Sequence, residues 1–414
     1  MSAFKREWIS AATALLCFSL AMSLHAQDQG DGQELMQELR RKTPSGQYVD
    51  PASFFRFHGY ISLSYTEAGK NLGPGPMGLR PGSADPVPEG TPNILVSGPG
   101  PSALTGENEG GFRNDAALFV GGEPFDGVSG VIEIHFVGDA TNPVITEAKM
   151  TWDLVGRDGG DATFRLVGGR FWWPFGIHNG EWFSAVNRFS LLSPTATEVV
   201  PAHYNEVGIM GEGELKLQDS MGLNYVLCVG NGMPGFDMMP NVRATTADNN
   251  DNRTLTGRLG LVLHSGLNAE LGLSASSGTL RSKDGFTAFG PDLTLDWKGL
   301  GLRSYLYKSA EETEELSGVS GSELDRDGLT IEPSYTFVRD TERYGEIVLV
   351  GRFSRADEEI LEGKTLRRTQ LGIGLNLQIT RAFNARLGFV SQGEDEDLDD
   401  ADNNAITLSL TNEF

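Results

Sequence analysis

The rhythm of the connections between strand-like segments, more than any single motif, limits what this chain can fold into. From Phe54 to Phe414 the sequence breaks into about sixteen stretches in which apolar and polar residues alternate, running from FRFHGYISLSY (55–65) through GLNYVLCVGN (222–231) to the closing NNAITLSLTNEF. A period of two is the mark of a strand whose two faces meet different surroundings. The even-numbered connections are tight, as in QDSM, KG and TRA, whereas the odd-numbered ones tend to be longer, acidic and rich in Pro, Ser or Asn. Tight turns at one end and long loops at the other are what a transmembrane barrel shows. A soluble sandwich has no reason to keep that asymmetry through so many strands. The expected fold is all-β: a transmembrane antiparallel β-barrel of about sixteen strands over 54–414, with an even count that brings both barrel ends to the periplasmic side.

The N-terminal stretch agrees with export. Lys5 and Arg6 precede an apolar run from Ala11 to Leu24, and Ala26 leads into a polar stretch, so residues 1–26 read as a signal peptide. That run is too short to cross a bilayer as a helix, and no later stretch is long and apolar enough to do so, which leaves strands as the means of crossing. Residues 27–53 read as a periplasmic N-terminal segment with a short helix or a flexible lead, because Leu35, Met36 and Leu39 fall at helical spacing. With Cys17 removed alongside the signal peptide, Cys228 is alone and no disulfide framework arises. The formal net charge of −23 argues against a nucleic-acid partner, which would need a basic face. Fifty-three glycines suit a barrel with a polar lumen, whose strands spend only every second residue on lipid.

At the C-terminus, Ile406, Leu408, Leu410 and Phe414 share one parity, with Asn412 interrupting it. The last strand must pair with the first to close a sheet in lipid, which puts Phe414 at the lower membrane rim and makes it the candidate assembly signal. This terminal strand resembles the assembly signal of bacterial outer-membrane proteins. The stretch GRFWWPFGI (Gly169 to Ile177), leaving a strand for a long loop, resembles the corresponding stretch of the phosphate-selective porin O/P family. The resemblance covers about Phe54 to Phe414 and implies an outer-membrane porin, a homotrimer whose third extracellular loop folds into the channel. Its implied activity is passive diffusion of small hydrophilic or ionic solutes, phosphate and other anions among them. The implied partners are those solutes, outer-membrane lipid and the barrel assembly machinery, with no cofactor and no metal. This chain departs from the phosphate-selective members in having no lysine from Met150 to Leu215.

Parity assigns the candidate pore residues. If Leu371, Ile373, Leu375 and Leu377 face lipid, the opposite parity is lumenal, and the same test places Arg56, Arg352, Arg368 and Arg386 inside on neighbouring segments. Opposite them stand Glu133, Glu147, Glu212, Glu214 and Glu270. Facing walls of opposite charge would set a transverse field across the channel, with weak net selectivity because the two signs nearly balance. The long loop PFGIHNGEWFSAVNRFSLLSPTATEVVPAHY is too apolar for a solvated tether, and burial of Trp182, Phe183, Phe189, Leu191 and Leu192 inside the barrel would make it the constriction loop. His178, Glu181, Arg188, Glu198 and His203 would then line the eyelet.

Enzyme signatures are poor. GPGPMG (Gly73 to Gly78) has the spacing of a dinucleotide loop but carries prolines and no following helix. No G-x-S-x-G occurs, and the histidines are scattered without metal-ligand spacing. The run EDEDLDD (Glu394 to Asp400) lacks the glycine and terminal glutamate of a dedicated calcium loop and reads as a solvated acidic loop. The reading is therefore a non-enzymatic porin. The alternative is a non-conducting barrel serving as adhesin, receptor or membrane-embedded hydrolase.

Overall fold

A backbone that crosses lipid must satisfy every N–H and C=O within the sheet, and a closed barrel does so without leaving an edge. The computed structural model describes residues 56–68, 111–137, 144–156, 160–178, 188–189, 193, 195–200, 204–232, 253–280, 284–313, 322–340, 345–360, 364–380, 382–394 and 404–414. The expected signal peptide and periplasmic segment lie outside these residues. The strands are β1 (Arg56–Ala68), β2 (Gly111–Phe125), β3 (Val128–Val137), β4 (Val144–Val155), β5 (Ala162–Trp172), β6 (Asn205–Gln218), β7 (Met221–Gly230) and β8 (Thr254–His264). They continue as β9 (Asn268–Leu280), β10 (Asp284–Trp297), β11 (Leu300–Thr313), β12 (Ser322–Asp340), β13 (Gly345–Ile360), β14 (Lys364–Gln378), β15 (Phe383–Glu394) and β16 (Ala405–Glu413).

Each strand pairs antiparallel with its neighbours in sequence, and β1 pairs with β16 from Tyr60↔Glu413 to Ala68↔Ala405, so sixteen strands close into one barrel. Closure extends one residue further: the Gly59 amide donates to the Phe414 carbonyl and the Phe414 amide to the Gly59 carbonyl, both at 2.9 Å. The turns at 126–127 and 219–220 are tighter than the period-two pattern alone suggested, because β2 and β6 run on to Phe125 and Gln218, while KG at 298–299 is the two-residue turn expected. At the other end, 281–283 and 361–363 are also short, since the β9–β10 and β13–β14 hairpins extend their pairing instead of ending in long loops.

The two parities separate as lipid requires. Phe57, Ile61, Ile132, Ile209, Leu227, Leu255, Leu271, Leu371, Ile373, Leu387, Leu408 and Phe414 are exposed on the outer face. The inner face buries Ser62, Thr256, Ser274, Ser276, Ser309, Thr330, Ser354, Thr407 and Ser409. An apolar exterior with a polar interior inverts the arrangement of a soluble protein, and only lipid on the outside makes it favourable.

Candidate functional site: the loop-filled lumen

The connection 173–204 leaves β5 and returns to β6, and its described residues lie against inward-facing side chains of β8 to β15. Trp173 donates its indole N–H to Thr256 Oγ1 at 2.8 Å on β8, and the Gly176 amide donates to Ser274 Oγ at 2.9 Å on β9. The Ile177 amide reaches Tyr307 Oη at 3.0 Å and Ser193 Oγ bonds Tyr305 Oη at 2.7 Å, both on β11. Ser309 Oγ donates to the Val199 carbonyl at 2.5 Å, Arg188 Nη1 to Ser334 Oγ at 3.2 Å on β12, and Thr195 Oγ1 meets Ser354 Oγ at 3.1 Å on β13. A π-helical turn, Thr195–Val199, carries the Val199 contact to β11 and the Thr195 contact to β13.

Apolar packing completes the attachment. Trp173, Phe175, Val199, Val200 and Tyr204 form one buried cluster with Phe286, Ala288, Tyr305, Tyr307 and Ala356 of the wall. Trp173 stacks on Phe175 with centroids 4.6 Å apart, and Tyr305 stacks on Tyr307 at 4.8 Å, the offset and parallel geometries aromatic pairs favour. Farther along, Phe189 fits a seat made by inward glycines: a Cβ on Gly372 or Gly374 would stand 3.1 or 3.3 Å from its ring. Gly328 serves Val199 in the same way, at 2.8 Å. Of the loop residues expected to need burial, Phe189 is 2% exposed, whereas Trp182, Phe183, Leu191 and Leu192 lie outside the described residues.

All four arginines singled out from the sequence have inward parity, on β1, β13, β14 and β15, with β16 between β15 and β1. Their surroundings differ. Arg352 is 6% exposed, bonded through Nε to Glu332 Oε2 at 2.7 Å, with its guanidinium 4.3 Å from the Phe189 ring centroid. It clamps the loop instead of facing water. Arg386 is likewise buried, while Arg56 and Arg368 are partly exposed.

Three of the five carboxylates have a cation within their own wall. Glu133 and Glu147 face each other across β3 and β4, both buried. Glu133 accepts the Trp172 indole N–H at 3.3 Å, and Glu147 accepts Lys149 Nζ at 2.7 Å. Glu212 lies 3.5 Å from Arg165, and Glu270 shares Arg258 with Asp292, at 2.6 and 2.7 Å. Glu214 is exposed at inward parity near the short-turn end. Glu147, Glu212 and Glu270 thus have a cation close by within their own wall, which weakens the field expected between two oppositely charged walls, while Glu133 is held by a neutral indole.

His178 is buried against Tyr307, Tyr305 and Phe175, with neither ring nitrogen hydrogen-bonded, and burial pushes it down to about 3, so the ring is neutral. Arg188 reaches the β12 wall, Glu198 falls within the π-helical turn, and Glu181 and His203 lie outside the described residues. Sequence reading overlooked Trp173, Phe175, Tyr305 and Tyr307 as the loop's anchor. The available clue was the run of small inward hydroxyls and glycines on β8 to β14, which makes room on one wall for something other than the wall itself. Among the described residues no cluster of His, Cys, Asp and Glu could hold a metal ion.

A closed sixteen-stranded barrel with an apolar exterior and a loop packed within its lumen defines the class: a transmembrane β-barrel of porin architecture. No family model matches this sequence, and no curated protein matches it. Solved structures do. The anion-selective porin from Comamonas acidovorans shares 9% identity over 87% of this chain and 99% of its own, with a TM-score of 0.55. OprB of Pseudomonas putida gives 0.55 at 8% identity, covering 88% of this chain and 95% of that one. The outer-membrane channel DcaP of Acinetobacter baumannii gives 0.51 at 11% identity, covering 87% and 97%. Identities this low establish a common fold, that of bacterial outer-membrane porins.

Proposed function

We propose that this protein is a porin of the bacterial outer membrane, passing small hydrophilic or ionic solutes by passive diffusion through a channel narrowed by the loop 173–204. The observation that carries this reading is the attachment of that loop to β8–β15 from inside, by hydrogen bonds from Trp173, Gly176, Ile177, Ser193 and Thr195 and by the seat of Phe189. A barrel that served only as a surface anchor would not need a loop held inside its lumen at so many points. Arg56, Arg368, Glu212 and Glu214, inward and at least partly exposed, line the water path, while Arg352 holds the loop. Because most lumenal charges have a partner of opposite sign beside them, selectivity should be weak. Anions, phosphate among them, are candidate solutes by likeness to the anion-selective porin. A homotrimer is proposed on the same footing, since a solved outer-membrane barrel of this fold is described in a trimer form.

The test is conductance. Purified protein in planar bilayers should give stepwise current, with a reversal potential in a KCl gradient close to zero and little change when phosphate replaces chloride. Absence of steps from folded, heat-modifiable protein would remove the porin reading.

A further inference from the structure

On the outer surface of β11 to β14 the apolar face ends at one level. Going away from the short turns, β12 presents Phe337, Tyr335, Pro333, Ile331 and Leu329 outward and then Asp327. β13 presents Ile347, Leu349, Gly351 and Phe353 and then Arg355 and Asp357, and β14 presents Leu377, Leu375, Ile373 and Leu371 and then Thr369 and Arg367. On β11, Leu306 is followed by Lys308. Register puts four of these charges side by side, as Lys308↔Asp327, Asp327↔Asp357 and Asp357↔Arg367, with Arg355 one outward position nearer the apolar band, opposite Leu329 and Thr369. Opposite residues of an antiparallel pair point to the same face, so this is one continuous outward row. An apolar band about 25 Å tall ends where hydrocarbon ends, and the row therefore lies at headgroup height, at the end of the barrel that carries the long connections.

Within the row, one carboxylate fixes two cations. Arg355 donates from Nε to both Asp357 oxygens at 3.1 Å and again from Nη2, and Arg367 donates from Nε to Oδ1 at 2.9 Å. Asp357 is nearly buried beneath them, yet the two arginine side chains remain 43% and 44% exposed. A guanidinium has five N–H donors, so each keeps donors beyond those Asp357 occupies, and with Lys308 opposite Asp327 the row holds three cations to two carboxylates. Preorganised forks of this kind match phosphate oxygens two at a time. We propose that this surface docks the phosphate groups of an anionic lipid in the outer leaflet. The lipid, not free phosphate, is the occupant, because the row borders the apolar band directly and its acyl chains would lie along Leu329, Phe353 and Leu371 below it.

The experiment uses the full chain in phosphatidylcholine vesicles containing a minor fraction of lipid A, in bisphosphorylated or dephosphorylated form, followed by mild detergent release and native mass spectrometry to count retained lipid. Wild type should hold the bisphosphorylated form in preference to the dephosphorylated one. Arg355→Gln/Arg367→Gln should lower that occupancy roughly tenfold, the size expected for losing charge-assisted forks. Arg368→Gln, one residue along but facing the lumen, should leave it unchanged. If the double variant does not give heat-modifiable barrel, the single Arg367→Gln, which keeps the Arg355–Asp357 bonds, should still weaken retention. Equal retention by folded Arg367→Gln, equal retention of dephosphorylated lipid, or displacement by millimolar inorganic phosphate would overturn the proposal. None of these outcomes depends on whether the barrel conducts.

Discussion

Removing Phe414 should separate two roles that its position combines. Its backbone exchanges two 2.9 Å hydrogen bonds with Gly59, and its ring lies over that glycine, so close that a Cβ there would stand 2.8 Å from Cζ. The side chain is 44% exposed, so roughly half of the 1.5–3 kcal/mol for full burial of a phenylalanine applies, about 1 kcal/mol. Each backbone bond adds about 1 kcal/mol net. Phe414→Ala should therefore cost the finished barrel about 1 kcal/mol, and deletion of Phe414 about 3 kcal/mol, in urea unfolding from mild detergent. If the ring is also the mark read by assembly machinery, both variants should show the same deficit of heat-modifiable barrel in the outer membrane, despite their different stabilities. Export to the periplasm should continue in each. A deletion variant as stable as Phe414→Ala would refute the closure argument, and normal assembly of Phe414→Ala would refute the ring's role in recognition.

Glu332→Ala takes the carboxylate of a buried ion pair away from Arg352 and should destabilise the barrel by about 3 kcal/mol, with Glu332→Gln costing less; denaturant midpoints in detergent measure both. Gly176 has φ of +64° and no room, since a Cβ would sit 1.9 Å from Tyr307 Oη, so Gly176→Ala should dislodge the loop and raise single-channel conductance. Tyr307→Phe, which removes the acceptor for the Ile177 amide and keeps the ring, should cost about 1 kcal/mol with a smaller conductance change. His178 binds its proton near 3 when packed and near 6.5 when released, so packing of the loop is favoured fully above pH 6.5 and loses stability as the pH falls toward 3. Current fluctuations in planar bilayers should therefore grow between pH 7 and pH 4, and His178→Phe should abolish that dependence.

The barrel itself was legible in the sequence because lipid imposes a strict code. Within the hydrocarbon band the outward residues of a membrane strand are apolar, so Leu371, Ile373 and Leu375 betray their face without any knowledge of their neighbours, and tight turns such as KG at 298–299 fix the count. The inward orientation of Arg56, Arg352, Arg368 and Arg386 followed from the same parity. What parity cannot supply is what stands in front of an inward side chain. Arg352 and Arg368 read alike along the chain, yet Glu332 and Phe189, distant in sequence, bury the first and leave the second partly open. Nor can parity foretell local pairing: Arg258 meets Glu270 and Asp292 only because β8, β9 and β10 lie side by side in register, and pairing energy falls off over a few ångströms. Alternation along one strand is a local property enforced by solvent, and the sequence carries it openly. Which charge meets which, and which glycine makes room for which ring, depends on contacts among segments far apart in the chain, and the closed tertiary structure alone decides them.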